Sequence, residues 1–285
     1  MFFVLNMFYL AVLLYVLALC TSLFFSKTGR YFCFAGQNRF SIYLFCMGLT
    51  ANFFSIAGRY YFAFPLMPMY QTPFFLPFFI GILSIKIIWQ EDKRALGMVF
   101  AVCFLSVTAV LFPNDFYLPF LKSRTIFSHI FFLSGVAAKA CLLIAGVHSF
   151  YDIFIIKRNY DIHTIIHNIR INKTVVKNWI TAGFSLWTIS IFSGEIWSFL
   201  GWGSPVVWDD PAILTTMATW LYYVCYLHLH YLKTFNYKKR AYAAAAGTIL
   251  MLILNFYPEL GIFQIPQIPQ ISQISQIFKS SWIVL

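Results

Sequence analysis

Charge is scarce in this chain. Of 285 residues, 10% are Asp, Glu, Lys or Arg, and only 9 are acidic. A soluble domain carries roughly a quarter charged residues and a surface that water must wet. A soluble globular class is therefore excluded. Six cysteines occur (Cys20, Cys33, Cys46, Cys103, Cys141, Cys225), but none forms CxxC, which leaves thiol–disulfide exchange without its motif. CxxCH is absent as well, so the chain is not itself a c-type cytochrome. The start, 1-MFFVLNMFYLAVLLYVLALC-20, lacks a basic n-region and a clear small-residue cleavage site. It reads as a retained first span, not a removed signal peptide. No histidine follows His230.

What fills the sequence is apolar: 61% of residues are hydrophobic and 21% aromatic. Several runs approach the ~20 residues that a bilayer-spanning helix needs. Hydropathy predicts an all-α, polytopic membrane helix bundle with about eight transmembrane helices, near 2–25, 40–57, 73–89, 96–112, 126–148, 178–197, 212–232 and 241–257. Residues 1–257 form the transmembrane domain in this reading, and 258–285 an extracytoplasmic tail. The tail holds 264-QIPQIPQISQISQI-277, a three-residue repeat. Three is neither a strand nor a helix period, and its prolines block a regular helix, so it reads as low complexity.

The net charge is +11, and its distribution explains it. Alternate connections are basic. They hold Lys27, Arg30 and Arg39; Lys93 and Arg94; Lys157, Arg158, Arg170, Lys173 and Lys177; and Lys233, Lys238, Lys239 and Arg240. The connections between them hold only Arg59, then Lys122 and Arg124, then no basic residue in 198–211. The positive-inside rule puts the basic loops in the cytosol and both termini outside. Most of the charge is thus a topology signal, and nucleic acid is not the expected partner. Connections 58–72, 113–125 and 198–211 face out. The longest inner loop, about 149–177, carries Ile162, Ile165, Ile166 and Ile169 at helical spacing among basic residues, the pattern of an amphipathic helix on the inner leaflet.

The outer connection 201-GWGSPVVWDD-210 concentrates tryptophan and aspartate. Any one of Trp197, Trp202 and Trp208 reads as an interfacial anchor. Together, with Gly201, Gly203 and Pro205 between them, they can pave a flat shelf, because these residues stop a helix and flatten the backbone. Asp209 or Asp210 can cap the next helix, with Pro211 in its first turn. A flat aromatic shelf suits a flat, polarizable ligand.

The stretch 193-SGEIWSFLGWGSPVVWDD-210 with 220-WLYYVCYLHLH-230 resembles the tryptophan-rich WWD signature of the haem-handling proteins of cytochrome c biogenesis, the CcsA/ResC type more than the CcmC type. Gly194, Trp197, Trp202, Gly203, Trp208, Asp209, Trp220, Leu221, Tyr226, Leu227 and His228 match it, and Pro211 fits with one Asp inserted. Upstream, 118-LPFLKSRTIFSHIFFLSGVAA-138 is similar to the family's histidine segment, with His129 on the histidine. The stretch 59-RYYFAFPLMPMYQTPFF-75 is weakly similar to a further segment.

The resemblance implies haem b at an outer site beneath the tryptophan loop. His129 is then an outer iron ligand, and Trp197, Trp202, Gly203, Trp208 and Asp209 are the haem-facing loop. His228 is implied as a transmembrane histidine through which haem passes. It lies 17 residues below Pro211, roughly 25 Å deeper, so His129 and His228 serve separate sites. The implied function is haem translocation to the outer side and presentation to apocytochrome c. It is a positioning role without catalytic residues, with a membrane partner of the ResB/CcsB type in a haem lyase complex. The implied location is the cell inner membrane.

Departures from the family pattern are specific. The family's second outer histidine stands in G-L-H-S-Y after the last span, where this chain reads 259-ELGIFQIPQIP-269. Aromatic positions between Trp202 and Trp208 are Pro205 and Val206, and the Lys-Glu after the tryptophan motif is Ala212-Ile213. Met67 and Met69 could supply a thioether ligand, against a plain packing role. His148 sits at a depth like that of His228 and reads as a second entry ligand or an interfacial histidine. His163 and His167 are one turn apart with no third ligand nearby, a solvated face. Lys139 lies mid-span, where a charge needs a partner; a haem propionate and backbone carbonyls both qualify. Arg59, Lys122 and Arg124 are outer cations for propionates or for interfacial anchoring. Two other readings stand beside the haem one: a non-haem transporter or structural subunit, and a degenerate member lacking its second outer ligand.

Overall fold

The computed structural model describes residues 2–27, 39–63, 66–69, 72–90, 94–114, 116–119, 125–157, 162–206, 211–229 and 235–264; side chains of 2–3, 25–27, 66–69, 116–119, 155–157 and 162–173 are outside the description. Among these residues run eight α-helices: α1 (Phe2–Lys27), α2 (Arg39–Ala63), α3 (Thr72–Trp89), α4 (Ala95–Leu111), α5 (Ile126–Lys157), α6 (Ile162–Trp202), α7 (Pro211–His228) and α8 (Tyr237–Met251). Five helical segments are long and apolar enough to cross a membrane: Val4–Phe24, Arg39–Ala63, Thr72–Trp89, Ile126–Phe154 and Tyr237–Glu259. Helices dominate because lipid offers no partner for a bare backbone N–H or C=O. The protein is a multi-pass membrane bundle.

Neighbouring helices run antiparallel. Ser41 Oγ donates to Ala18 O at 2.8 Å and Ser55 Oγ to Val4 O at 2.9 Å, which fixes α2 against α1. Phe53 meets Phe78 at 6.0 Å between ring centres and Tyr60 meets Phe75 at 5.9 Å, so α3 runs back along α2. Helix α5 is the hub, touching α3, α4, α6 and α8. Its contact with α6 uses small residues, the usual means of close approach in lipid. A Cβ on Gly135 would stand 2.9 Å from Ser190 Oγ, and one on Gly183 would stand 2.9 Å from Leu142 Cδ2. Ser190 Oγ donates to Phe131 O at 2.7 Å across the same seam. Tyr222 Oη donates to Ala243 O at 2.7 Å and joins α7 to α8.

Two features differ from the sequence expectation. The inner connection over 149–177, read as an amphipathic helix, is helical, but as the continuous end of α5 and start of α6 instead of a separate element. The cause is local: no glycine or proline occurs between Ser149 and Ala182, so nothing stops either helix. At 1.5 Å per residue the 41-residue α6 is about 60 Å long, roughly twice a ~30 Å hydrocarbon core. The α5–α6 hairpin therefore projects from the basic end of the bundle. The second feature is a two-stranded antiparallel ribbon within an otherwise helical protein. Its strands are β1 (Leu66–Met69) and β2 (Phe116–Pro119), with Leu66 opposite Pro119 and Met69 opposite Phe116. It ties the connections after α2 and α4 together at one end. Four-residue strands containing Pro68 and Pro119 carry no strand signal in the sequence.

The polar interior sits near that same end. Lys139 of α5 is 8% exposed. It forms an ion pair with Glu259. Its Nζ also donates to Asn255 O at 3.0 Å and to Thr72 Oγ1 at 3.4 Å. Asn255 extends the network to α7, donating from Nδ2 to Thr219 Oγ1 at 2.6 Å and accepting from Thr216 Oγ1 at 3.3 Å. The chain around it leaves α-helical form, with a π-turn at Leu252–Phe256 and a 3-10 turn at Tyr257–Glu259. Beyond, Gly261 N donates to Phe112 O and Gln264 N to Leu111 O. Residues 258–264 thus lie against the end of α4. The repeat from 265 onward lies outside the described residues.

Removing one member of a buried ion pair leaves an unpaired charge, at a cost of roughly 3–5 kcal/mol, whereas replacing both with apolar groups is often neutral. Lys139→Leu should therefore lower thermal stability in detergent, and Lys139→Leu with Glu259→Leu should restore most of it. An unchanged melting temperature in the single variant would show that the pair contributes nothing.

Candidate functional site

The end of the bundle that carries the ribbon also gathers the tryptophans. No glycine or proline interrupts α6 between Gly194 and Gly201, and the helix runs on to Trp202. Trp202 is thus on the helix, not in a flat loop as its spacing suggested. The stop is Gly203, whose φ is +76°. Its N–H closes on Phe199 O at 2.9 Å. Nothing lies within 4 Å of a Cβ placed there, so the glycine is required by backbone conformation, not by space. Ser198 Oγ donates to Ser204 O at 2.7 Å and fixes the exit direction. Trp208 and Asp209 lie outside the described residues, as do Asp210, Lys122 and Arg124.

The two described tryptophans differ in role. Trp197 is 8% exposed and stacks on Phe131 of α5 with ring centres 5.8 Å apart. Trp202 is 57% exposed and meets Trp197 edge-on at 5.1 Å. Gly194 makes this possible: a Cβ there would stand 2.8 Å from the Phe131 ring. The glycine of the G-x-x-W spacing is therefore the socket for the ring on which Trp197 stacks. The indole Nε1 of Trp197 is buried without a hydrogen-bond partner. One face of this end is an aromatic wall, buried at Trp197 and open at Trp202.

His129, in the first turn of α5, is half-buried. Its ring faces Tyr60 of α2, 6.5 Å away between centres and tilted by 40°. Tyr60 in turn meets Phe75 edge-on, and Phe75 meets Phe132 at 4.9 Å. The structure thus brings His129, Trp197 and Trp202 to one end, with Phe131 and Phe132 between the two ring groups. Arg59, expected in a connection, is instead inside α2 and 4% exposed, its guanidinium 3.6 Å above the centre of the Phe74 ring. Met67 and Met69 stand on β1 beside this end, their side chains outside the description.

His228 ends α7, at the opposite end of that 18-residue helix, and is exposed. Its Nδ1–H donates to Val224 O at 2.7 Å. That bond fixes the orientation of the ring. His148, by contrast, is 1% exposed on α5, so the two do not share an open face. Near His148 a small cleft is lined by Ser149, Asp152, Tyr226, Tyr237 and Arg240, with Tyr237 Oη donating to Asp152. His163 and His167 lie on α6 with side chains outside the description, and His230 lies outside it altogether. Lys139 has its partner within the chain, Glu259, which sequence reading had not singled out. The pair is separated by 120 residues, and no local pattern announces it. Tyr60 was missed for the same reason.

Comparison with known proteins follows the same outline. The family model described as "Cytochrome C assembly protein" matches residues 4–263. The "Cytochrome c biogenesis protein CcsA" of Prochlorococcus marinus is 23% identical over 233 residues, covering 70% of this chain and 72% of that one. The protein of the same name from Chlamydomonas reinhardtii is 27% identical over 205 residues, 66% of this chain and 56% of its own length. The one from Marchantia polymorpha is 39% identical over 80 residues, 27% of this chain and 25% of its own.

The ring contacts separate structure from surface. Trp197→Ala should cost about 3–5 kcal/mol, as truncating a buried aromatic does. Trp202→Ala should stay within about 0.5 kcal/mol, as exposed positions do. Thermal unfolding of both variants in the same detergent checks the contrast.

Proposed function

The chain belongs to the cytochrome c assembly protein family, and we propose that within cytochrome c biogenesis it binds haem and carries it to the outer side of the membrane for attachment to apocytochrome c. The observation that carries this reading is the loop end itself. His129 packs on Tyr60 at that end and Trp197 packs with Trp202 at the same end, and two buried polar atoms there, Trp197 Nε1 and the Tyr60 hydroxyl, have no hydrogen-bond partner among the described residues. A site lined with rings, an imidazole and unused polar atoms fits a flat macrocycle with a metal and carboxylates.

Each residue has a separate task. His129 and His228 hold iron at different depths, since α7 separates their ends by most of a bilayer core. Val224 O holds the His228 ring in its orientation. Trp197 forms the buried floor of the outer site and Trp202 its exposed rim; Trp208 and Asp209, outside the described residues, are carried over from the family resemblance as further contacts. Gly203 turns the chain over this floor. Haem b, when bound, supplies the vinyl groups to which the thiols of a reduced CxxCH segment add. The protein orients and shields the bound group. A membrane partner of the ResB/CcsB type completes a haem lyase. We place the protein in the inner membrane with the basic loops on the cytosolic side, because four of the connections carry most of the Lys and Arg.

The test is haem content. Full-length protein purified from haem-replete cells should contain b-type haem by pyridine haemochrome assay. His129→Ala and His228→Ala should each lower the content several-fold without loss of folded protein. Haem-free wild type, or equal content in all three, sinks the reading and favours a non-haem membrane subunit.

A further inference from the structure

We propose that Tyr60 is the second protein ligand of the outer haem iron, opposite His129; this rests on the haem reading above. The family's second outer histidine has no counterpart here, since no histidine follows His230. The Tyr60 ring packs against that of His129, 6.5 Å away between centres and tilted by 40°. Its hydroxyl is buried and has no hydrogen-bond partner. A buried phenol almost always finds a partner, so an orphan beside a candidate iron ligand points to a missing one.

The spacing fits. With metal–ligand bonds of about 2 Å, an imidazole and a phenol on opposite sides of one metal hold their ring centres about 7 Å apart. That is close to the separation already present. The two side chains come from different helices, α2 and α5, so they approach the space between them from two sides. Phe75 braces the outer edge of Tyr60. Phenolate is an established haem ligand in other proteins. On coordination the phenol's O–H proton leaves to solvent as the oxygen–iron(III) bond forms, and no electron is transferred. Tyrosine ligation favours the ferric state, so this outer site would hold haem in a different oxidation balance from a bis-histidine site.

The experiment uses full-length protein in detergent, loaded with ferric haem b, as wild type, Tyr60→Phe and Tyr60→His. Tyr60→Phe removes only an unpartnered oxygen and should fold as wild type does. The His228 site is common to all three and cancels in difference spectra. The wild type should show resonance-Raman-enhanced phenolate modes and a phenolate-to-iron charge-transfer band that Tyr60→Phe loses. Tyr60→His should convert the difference spectrum to low-spin bis-imidazole. Haem affinity should fall roughly tenfold in Tyr60→Phe and recover in Tyr60→His. Spectra that are identical in wild type and Tyr60→Phe overturn the proposal, as does a spectrum that responds to Met67→Leu or Met69→Leu instead. Wild type that takes up no haem at all removes the functional reading and this ligand together, whereas haem uptake without the Tyr60 effect removes only the ligand.

Discussion

A lysine inside a membrane bundle must have an anion, and Lys139 has Glu259. Much of the architecture at the loop end follows from that need. To reach Lys139, the chain after α8 leaves α-helical form and passes through a π-turn and a 3-10 turn. The freed carbonyl of Asn255 becomes a second partner for Lys139, while the Asn255 side chain engages Thr219 and Thr216 of α7. Thr72 at the start of α3 takes the remaining donor. One charge thus links α3, α5, α7 and the segment after α8. In lipid such links matter more than apolar contact, because lipid tails are as apolar as the side chains they replace.

The same end is where the aromatic residues do different jobs at different depths. Trp197 is enclosed between Phe131 and Trp202, with Gly194 making room for Phe131. Tyr60, Phe75 and Phe132 form a second group on the other side of α5. His129 belongs to this second group by its ring contact, although the tryptophan motif lies with the first. A ligand at this end would therefore lie across α5, between walls supplied by α2 and α6. This arrangement fits membership of the cytochrome c assembly family, whose match runs through both regions.

Several expectations were legible in the sequence for definite physical reasons. The helix count follows from apolar runs, since only a helix satisfies its backbone in lipid. Gly203 is readable as a stop because few other residues adopt a positive φ. The pairing of Gly194 with Trp197 is visible as a spacing, though its role as a socket for Phe131 is not. The helical spacing at the start of α6 is visible in Ile162, Ile165, Ile166 and Ile169, but not that this helix runs unbroken into the following span. Other features left no local trace. The ribbon at 66–69 and 116–119 is too short to show a period of two.

Helix number, helix order and the placement of basic charge in alternate connections are written into the order of residues. Those are properties of neighbouring residues and of transfer into lipid. That Lys139 meets Glu259, that Arg59 lies over Phe74, and that His129 packs on Tyr60 emerge only from packing in three dimensions. A soluble amphipathic helix announces its inward face by its polar outer one. These helices are apolar on nearly every side, because their outer faces meet lipid. The facing residues are therefore chosen by packing between segments far apart in the chain, and no periodicity records that choice.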